Sequence, residues 1–228
     1  MARDRRTRFA VVMGDLIASE KAPSRAALHA AFNTAVERAN RDHAQHVASP
    51  LTITLGDEFQ GLVNSFAAGF RLIHALRLDL LGREVACRFV LGAVQLETPL
   101  NPDRAWNMMG SGLAAARERL DDKAAPGAYR FSFPDAPDVE PLLNGLGETL
   151  TFLERGWTAI QRGYILAYLG EGLTVTEIAG RQTVSERAVY KGLTAANGDF
   201  YERQLAALQG YFAALDERAA LDERGEAE

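Results

Sequence analysis

The stretch from Leu51 to Val63, which reads LTITLGDEFQGLV, constrains the fold of this chain more than any other. It has an apolar residue at every second position, breaks at Gly56-Asp57-Glu58, and is apolar again from Phe59. A period of two on both sides of a glycine turn predicts two short strands joined by a tight hairpin. Because two adjacent carboxylates in such a turn repel each other, we expect a positively charged group to bind there.

An earlier apolar run, from Phe9 to Met13, ends in the same Gly-Asp pair at Gly14 and Asp15. Its continuous apolar content predicts a buried strand over residues 7–13. Two strands of one sheet that each end in Gly-Asp can bring Asp15 and Asp57 close together. Hard divalent cations prefer carboxylate oxygens. The sequence therefore predicts a divalent-metal and phosphate site at this end of the sheet.

The remaining elements of the first 140 residues complete an α+β pattern. Apolar spacing predicts helices over residues 24–39, 65–81 and 113–120, and strands over residues 85–96 and 129–133. Gly92, inside one strand, indicates close approach of another backbone or a ligand. The order of elements predicts a sheet covered by helices on one face. We assign residues 1–140 to this domain, 141–156 to a linker and 157–228 to a helical domain.

The helical domain contains a helix-turn-helix pattern. Residues 157–215 predict four helices, and the segment LTVTEIAGRQTVSERAVYKGL at residues 173–193 predicts two short ones, capped by Thr174 or Thr176 and by Ser185. In helix-turn-helix units the second helix enters the DNA major groove. The side chains that would face DNA are Ser185, Glu186, Arg187, Tyr190 and Lys191, with Thr183 on a phosphate.

The charge of this region leaves DNA binding and protein contact both open. Residues 149–228 contain eight lysines and arginines against twelve aspartates and glutamates. Affinity for DNA depends largely on cations that neutralise phosphates. The same tri-helical unit can instead mediate dimerisation or packing against a partner. The amphipathic run over residues 199–215 suits the seam of a homodimer, since DNA-reading units usually work in pairs.

Composition limits the cellular compartment and the classes of binding partner that we expect. The net charge of −5 gives no chain-wide cationic field for nucleic acid or an anionic membrane. No apolar segment approaches the roughly 20 residues needed to cross a bilayer, so we expect no membrane partner. The single cysteine, Cys87, excludes an intrachain disulfide and favours a reducing cytoplasm. We expect Cys87 to act as a small buried hydrophobic residue.

Within residues 8–123, the series VVMGDLIAS, TLGDEFQGLV, RFVLGAV and GSGLAAARERL resembles the catalytic domain of class III nucleotide cyclases and, more distantly, of diguanylate cyclases. The chain is more similar still to the SatD family of bacterial proteins, which has the same motifs and a helical C-terminal part. The resemblance implies a nucleotide-cyclase-like (ferredoxin-like) sheet covered by helices, followed by a small all-α helix-turn-helix domain. The matching positions are Gly14-Asp15, Ser19 and Arg25; Gly56 to Gln60; Arg88 and Gly92; and Gly110 with Ala116-Arg117.

The resemblance also implies roles for individual residues. In the cyclases, one aspartate at the end of the first strand and one in the hairpin hold two divalent ions, and a helix arginine stabilises the triphosphate. Asp15 and Asp57 would accordingly bind Mg²⁺ or Mn²⁺, and Arg117 would bind phosphate. Ser19 and Arg25 are further phosphate candidates, because anions bind well at helix N-termini.

Three positions depart from the cyclase pattern. Ile53 stands where adenylate cyclases have a base-recognising lysine, and Leu113 stands where they have an asparagine that holds the ribose. Leu55 replaces the first glycine of the diguanylate cyclase signature. The metal-and-phosphate half of the site therefore matches, whereas the base-and-ribose half does not.

Each site residue also has a structural interpretation. Asp15 and Asp57 could simply be turn or capping residues, and Arg117 could pair with a surface carboxylate. Glu58 should face away from Asp57, since neighbours on a strand point to opposite faces, and could form a structural salt bridge.

Three functions remain open at this point. The first is a regulatory protein that couples metal-dependent nucleotide or phosphate binding to a DNA-binding module. The second is a metal-dependent nucleotidyl or phosphoryl transfer enzyme with helices for dimerisation. The third is a vestigial site on a protein that mediates contacts. The missing lysine and asparagine favour the first.

Overall fold

The computed structural model describes residues 8–54 and 56–225, and within them six strands form one sheet with eight helices around it. The predicted strand positions Thr7 and Leu55 lie outside these residues. The strands are β1 (Arg8–Leu16), β2 (Val47–Ile53), β3 (Glu58–Val63), β4 (Cys87–Leu96), β5 (Gly110–Ser111) and β6 (Tyr129–Ser132). The helices are α1 (Arg25–Asp42), α2 (Phe66–Gly82), α3 (Leu113–Asp121), α4 (Glu140–Gly156), α5 (Ala159–Ile165), α6 (Val175–Gln182), α7 (Glu186–Ala195) and α8 (Gly198–Gly225).

Strand β1 lies at the centre of the sheet, whose order is β2-β3-β1-β4-β5 with β6 beside β4. It pairs antiparallel with β3 and with β4, and β6 runs parallel to β4. The predicted hairpin is confirmed: β2 and β3 are antiparallel, and Gly56 in their turn has a φ of 84° that favours glycine. Strand β1 continues through Gly14 and Asp15 instead of ending before them.

Both faces of the sheet are covered. Ala10 and Val12 face a large core that includes α1 and α2, whereas Val11 and Met13 face a second core closed by Ala116 and other residues of α3. The prediction of helices on one face only is therefore wrong, because successive residues of β1 are apolar and each face needs a cover.

Gly92 has the close neighbour that its position in a strand predicts. It lies opposite Ser132 of β6, and a Cβ atom at Gly92 would stand 3.1 Å from the Ser132 carbonyl oxygen. A side chain there would push β6 away from β4.

Short polar side chains begin the helices where the sequence predicts them. The hydroxyls of Ser24, Ser65 and Ser185 accept hydrogen bonds from backbone N–H groups three residues ahead, at the starts of α1, α2 and α7. Thr174, not Thr176, caps α6, and it forms a reciprocal capping box with Glu177.

Residues 141–156 are helical instead of forming the predicted linker. They belong to α4, in which Leu143 and Leu150 are buried in the large core, and Asn144 bonds the backbone of Phe131 in β6. The apolar residues recur at helical spacing, so this segment packs against the sheet instead of connecting two bodies.

Helix α8 also packs within the chain. Tyr201, Leu205, Leu208 and Phe212 are buried in the same core as α2 and α4, so the face predicted to be a dimer seam is already covered. The Asp216 carboxylate accepts hydrogen bonds from the first backbone N–H groups of α2 and fixes α8 to that end.

A buried polar network joins four of these elements. Glu154 of α4 pairs with Arg77 of α2 at 2.8 Å, and it accepts hydrogen bonds of 2.7 Å from Tyr129 of β6 and from Tyr201 of α8. The Tyr201 hydroxyl also lies 3.3 Å from His74, whose pKa burial lowers to about 4. The carboxylate side chain is 0% exposed, so its charge depends on these partners alone.

We predict that Glu154→Gln lowers the free energy of unfolding by about 3 kcal/mol, because it leaves the Arg77 guanidinium buried without a counter-charge. Urea denaturation of the full chain measures this change. The control is Glu148→Gln on the exposed side of α4, for which we expect less than about 0.5 kcal/mol. Equal effects of the two changes would show that the network contributes nothing specific.

Candidate functional site

The register of three strands places charged side chains on one face of the sheet. Asp15 lies directly opposite Glu58 of β3 on one side and Arg88 of β4 on the other. Directly opposed residues of neighbouring strands point to the same face. This is the face that α3 covers, at the end of the sheet where β1 finishes.

Asp57 lies beside this row, just before β3. Its carbonyl oxygen accepts a 2.9 Å hydrogen bond from the Leu16 N–H group, and its carboxylate accepts a 3.1 Å bond from the Ser19 hydroxyl. The structure thus places Asp15, Asp57 and Ser19 at the same end of the sheet. Their function as ligands remains a prediction.

Asp15 already has an internal counter-charge in Arg88. The Arg88 Nε and Asp15 Oδ2 atoms are 3.1 Å apart, but among the described residues the buried Nε has no well-directed hydrogen bond. The pair is therefore held by charge more than by hydrogen-bond geometry. Arg88 is largely buried, so removal of Asp15 would leave its positive charge in an apolar setting.

The environment of Asp15 disfavours its ionised form. The pKa of this carboxyl is raised from 3.8 to about 6, chiefly by burial; the Arg88 charge opposes the rise, and the neighbouring charges of Asp57 and Glu58 add to it. Three carboxylates at one place, one of them partly desolvated, form a region where an added cation would be stabilised.

Arg117 of α3 reaches the same cluster. Its guanidinium donates a 3.0 Å hydrogen bond to the Glu58 carboxylate and a 3.3 Å bond to the Gln60 side-chain oxygen. The expectation that Glu58 faces away from Asp57 supposed that both residues lie in a strand, but β3 begins at Glu58 and Asp57 precedes it. The alternative interpretation of Glu58, a structural salt bridge, is observed.

Arg25 is not brought into the cluster. It is exposed in the first turn of α1, and its guanidinium donates a 3.4 Å hydrogen bond to the Glu20 carbonyl oxygen.

The sequence analysis placed Glu58, Gln60 and Arg88 within the family motifs but assigned none of them to the site. A signal was present: Glu58 and Gln60 alternate with Phe59 and Gly61, and Arg88 is charged inside an apolar strand. Polar residues at period two in an otherwise buried strand mark a polar part of one sheet face.

The donor atoms suit a hard divalent cation, but they do not complete its coordination. Carboxylate oxygens are the ligands that Mg²⁺ prefers, together with waters and substrate phosphates. Within residues 8–54 and 56–225, no three acidic, histidine or cysteine side chains are grouped as a finished metal site. Asp15 and Asp57 could supply only part of a coordination shell, and the rest would have to come from water or from a ligand.

The segment predicted as a helix-turn-helix forms two helices joined by a short turn. We call α6, α7 and the turn between them the α6–α7 unit. Thr183 in the turn has a left-handed φ of 55°, and Ile178 and Val189 are buried with Tyr164 of α5. The predicted DNA-facing residues Ser185, Arg187, Tyr190 and Lys191 are all exposed. Their contact with DNA remains a prediction.

In the part of the chain that the structure describes, no helix is both long and apolar enough to cross a membrane. The SatD family model matches residues 9–208 of the chain. No curated protein matches this chain.

The chain is similar to two solved structures of a bacterial light-regulated adenylyl cyclase. The first is 16% identical, with a TM-score of 0.38, and the matched region covers 57% of this chain and 44% of the cyclase chain. The other is 15% identical, with a TM-score of 0.39, and covers 56% and 77%. The chain therefore spans less than half the length of the first. It is also similar to a regulator of polyketide synthase expression from Bifidobacterium adolescentis, at 15% identity, a TM-score of 0.25 and coverages of 96% and 83%.

We predict that Asp15 makes the protein less stable as the pH rises from about 4 to 7. Its folded pKa of about 6 exceeds the ordinary 3.8, so the folded state holds the proton more tightly, and this stability is lost as the pH rises through 6. Asp15→Asn lacks this titration. We therefore expect its unfolding free energy to rise by about 1 kcal/mol relative to that of the wild type between pH 4 and pH 7, after allowance for solvent screening. Urea titrations at both pH values measure it, with the exposed Asp103→Asn as control. A difference that does not change with pH would contradict the assigned environment.

Proposed function

This chain belongs to the SatD family, and on that premise we propose that it is a transcription regulator that binds a metal-associated nucleotide or other phosphate ligand and DNA. The sheet is the ligand-binding part, with a nucleotide-cyclase-like arrangement of two Gly-Asp sequences, one in β1 and one in the turn that leads into the neighbouring β3. The α6–α7 unit is the helix-turn-helix that contacts DNA. The observation that carries the ligand-binding half is the convergence of Asp15, Asp57 and Glu58 beside Arg88 and Arg117.

Two internal ion pairs make the cluster complementary to a metal-bound phosphate. Asp15 pairs with Arg88, and Glu58 pairs with Arg117 at 3.0 Å. A metal-bound phosphate is itself a cation joined to an anion. The carboxylates can exchange their arginines for the cation, and the freed guanidinium groups can donate paired hydrogen bonds to the phosphate oxygens.

Several residues have defined parts in this exchange. Asp15 and Asp57 would hold the cation by their oxygens, and Mg²⁺ or Mn²⁺ would supply charge neutralisation of the phosphate. Arg117 is the better phosphate group of the two arginines, since 41% of its side chain is exposed whereas Arg88 is buried. The Ser19 hydroxyl keeps the Asp57 carboxylate oriented.

A continuous set of contacts leads from this cluster to the α6–α7 unit. Arg88 follows Cys87, whose carbonyl oxygen accepts a 3.3 Å hydrogen bond from Arg77. Arg77 pairs with Glu154, and Glu154 accepts a hydrogen bond from the hydroxyl of Tyr201, which lies in the first turn of α8, six residues after the end of α7. A shift of β4 on ligand binding would therefore alter the packing at the end of α7.

Charge on α7 supports the DNA-binding half. Arg187 and Lys191 are four residues apart and exposed, and among the described residues neither has an ion-pair partner. Tyr190, between them, is 59% exposed. Two uncompensated cations and an aromatic side chain on the outer face of the second helix suit contact with phosphates and base edges.

We predict that Mn²⁺ with a nucleoside triphosphate raises the melting temperature of the wild type by roughly 5–10 °C at saturating ligand. Asp15→Asn combined with Asp57→Asn should lose this shift, because it removes two anionic ligands of the cation. Thermal-shift assays across the common nucleoside triphosphates, with Mg²⁺ and Mn²⁺, measure it.

The matched control for this assay is Asp135→Asn with Asp138→Asn, a pair of exposed carboxylates between β6 and α4. An equal shift in both double variants, or none with any nucleotide in the wild type, would refute the ligand site. Turnover of the nucleotide in the same samples would instead support nucleotidyl or phosphoryl transfer by these residues.

For DNA, we predict that Arg187→Ala with Lys191→Ala weakens binding to the region upstream of the protein's own gene by at least about tenfold at moderate salt. The slope of log affinity against log salt should fall by about 2, as for two lost phosphate contacts. Gel-shift titrations at several salt concentrations measure both. Arg41→Ala with Arg71→Ala, which removes two exposed cations of the sheet part, is the control. A wild type whose DNA binding is undetectable at low salt would leave the α6–α7 unit as a protein-contact element.

A further inference from the structure

A second cleft lies on the opposite side of the protein, away from the Asp15 cluster. It has a volume of about 570 Å³ and is lined by α1, α2 and the π-helical turn over Leu166–Gly170 that follows α5. Ala39, Ala75, Leu76 and Leu166 provide an apolar lining. This volume is within the range of small-molecule sites, which combine an apolar wall with a few polar groups.

Two arginines at this cleft share one carboxylate. Arg83 Nε lies 2.8 Å from the Asp79 Oδ1 atom, and Arg38 lies 3.8 Å from that same oxygen. The other Asp79 oxygen is buried and, within the described residues, has no hydrogen-bond partner. The side chains of Arg38 and Arg83 are 56% and 34% exposed, so most of their N–H groups remain available.

The acidic residues at the cleft balance its two arginines in charge but leave several of the arginine N–H donors free. Glu171 lies at its edge but pairs with Arg181 of α6 at 2.6 Å. Asp79 and Asp42 are the remaining carboxylates, and Asp42 is exposed beside His43, whose pKa is lowered by burial. Two adjacent guanidinium groups with free donors suit a carboxylate, sulfonate or phosphate group, which a planar arginine binds with paired hydrogen bonds.

The π-helical turn connects the cleft to the α6–α7 unit. Leu166 lines the cleft, whereas the next residue, Ala167, is buried in the core of the α6–α7 unit with Ile178. Just beyond the turn, Glu171 forms its ion pair with α6. π-Helical turns interrupt the regular ladder of helix hydrogen bonds and occur frequently at functional sites. A molecule against Leu166 would therefore contact the element that supports α6.

We propose that this cleft is an effector site for a small organic anion with a compact apolar body, whose acidic group is held by Arg38 and Arg83 and whose body lies against Ala75 and Leu166. Occupancy of the site stabilises the π-helical turn and, through it, the position of α6. The site is separate from the proposed metal–phosphate site and extends the regulatory function to a second ligand.

The first test is a fluorescence titration with 8-anilinonaphthalene-1-sulfonate, an aromatic anion that emits in apolar surroundings. Ala75→Leu should fill the cleft from an exposed helix position and weaken binding at least about tenfold. Arg38→Gln with Arg83→Gln should weaken it by a similar factor, since charge-assisted hydrogen bonds are lost. Ala30→Leu, an exposed alanine of α1 outside the cleft, is the matched control and should bind as the wild type does.

A neutral probe of similar shape, N-phenyl-1-naphthylamine, separates shape from charge. Its binding should fall in Ala75→Leu but not in the double arginine variant. If the arginine variant binds the sulfonate as tightly as the wild type, the anionic class of ligand is wrong. If Ala75→Leu has no effect, or the wild type gives no rise in emission, the cleft is not a binding site.

The second test distinguishes this site from the metal–phosphate site. Asp15→Asn with Asp57→Asn should retain sulfonate binding, because those residues are not part of the cleft. Hydrogen exchange of the α6 backbone should slow about threefold or more when the sulfonate is bound to the wild type, and not in Ala75→Leu. Unchanged exchange in the wild type would overturn the link to α6, and loss of binding in the aspartate variant would overturn the separation of the two sites.

Discussion

The carboxylate of Glu154 is fully buried, and four elements must meet to satisfy it. Arg77 supplies the counter-charge from α2, while Tyr129 of β6 and Tyr201 of α8 supply hydroxyl donors. A buried charge without such partners would cost several kcal/mol. Since Arg77 lies 77 residues before Glu154 and Tyr201 lies 47 residues after it, the network is satisfied only when the sheet, α2, α4 and α8 are assembled together. This requirement explains why the C-terminal helices share a core with the sheet and are not attached by a free linker.

The cluster at the end of β1 follows a different electrostatic arrangement. Its carboxylates lie close enough to raise the pKa of Asp15, and each of its two ion pairs matches one acid with one arginine. Two of the three acids are thus paired in the protein itself, whereas Asp57 has no ion-pair partner among the described residues, and the cluster lies at a partly exposed place where partners can be exchanged. A buried structural network is stable because its partners are fixed. Ligand binding at the Asp15 cluster, as proposed, instead needs partners that can leave at moderate cost, and partial exposure provides this.

The π-helical turn after α5 occupies a central position between these parts. It contributes Leu166 to the cleft beside α1 and α2, and Ala167 to the core of the α6–α7 unit. Trp157 adds a second connection, since its indole N–H donates to the carbonyl oxygen of Ala196 at the end of α7. The α6–α7 unit is therefore held at both ends by residues that also contact the sheet part, while its outer face remains exposed. Such an arrangement can transmit a change in packing without requiring the unit to detach.

The sequence by itself determined the features that depend on a few neighbouring residues. The Gly56 turn, the serine caps of α1, α2 and α7, and the two short helices joined at Thr183 all follow from local hydrogen bonding and backbone preference. Only the tertiary structure decided that Glu58 and Arg88 stand on either side of Asp15, that residues 141–156 pack as a helix on β6, and that the apolar face of α8 is covered within the chain. These features depend on strand register and on contacts between distant segments, where a shift of one residue reverses the face to which every side chain points.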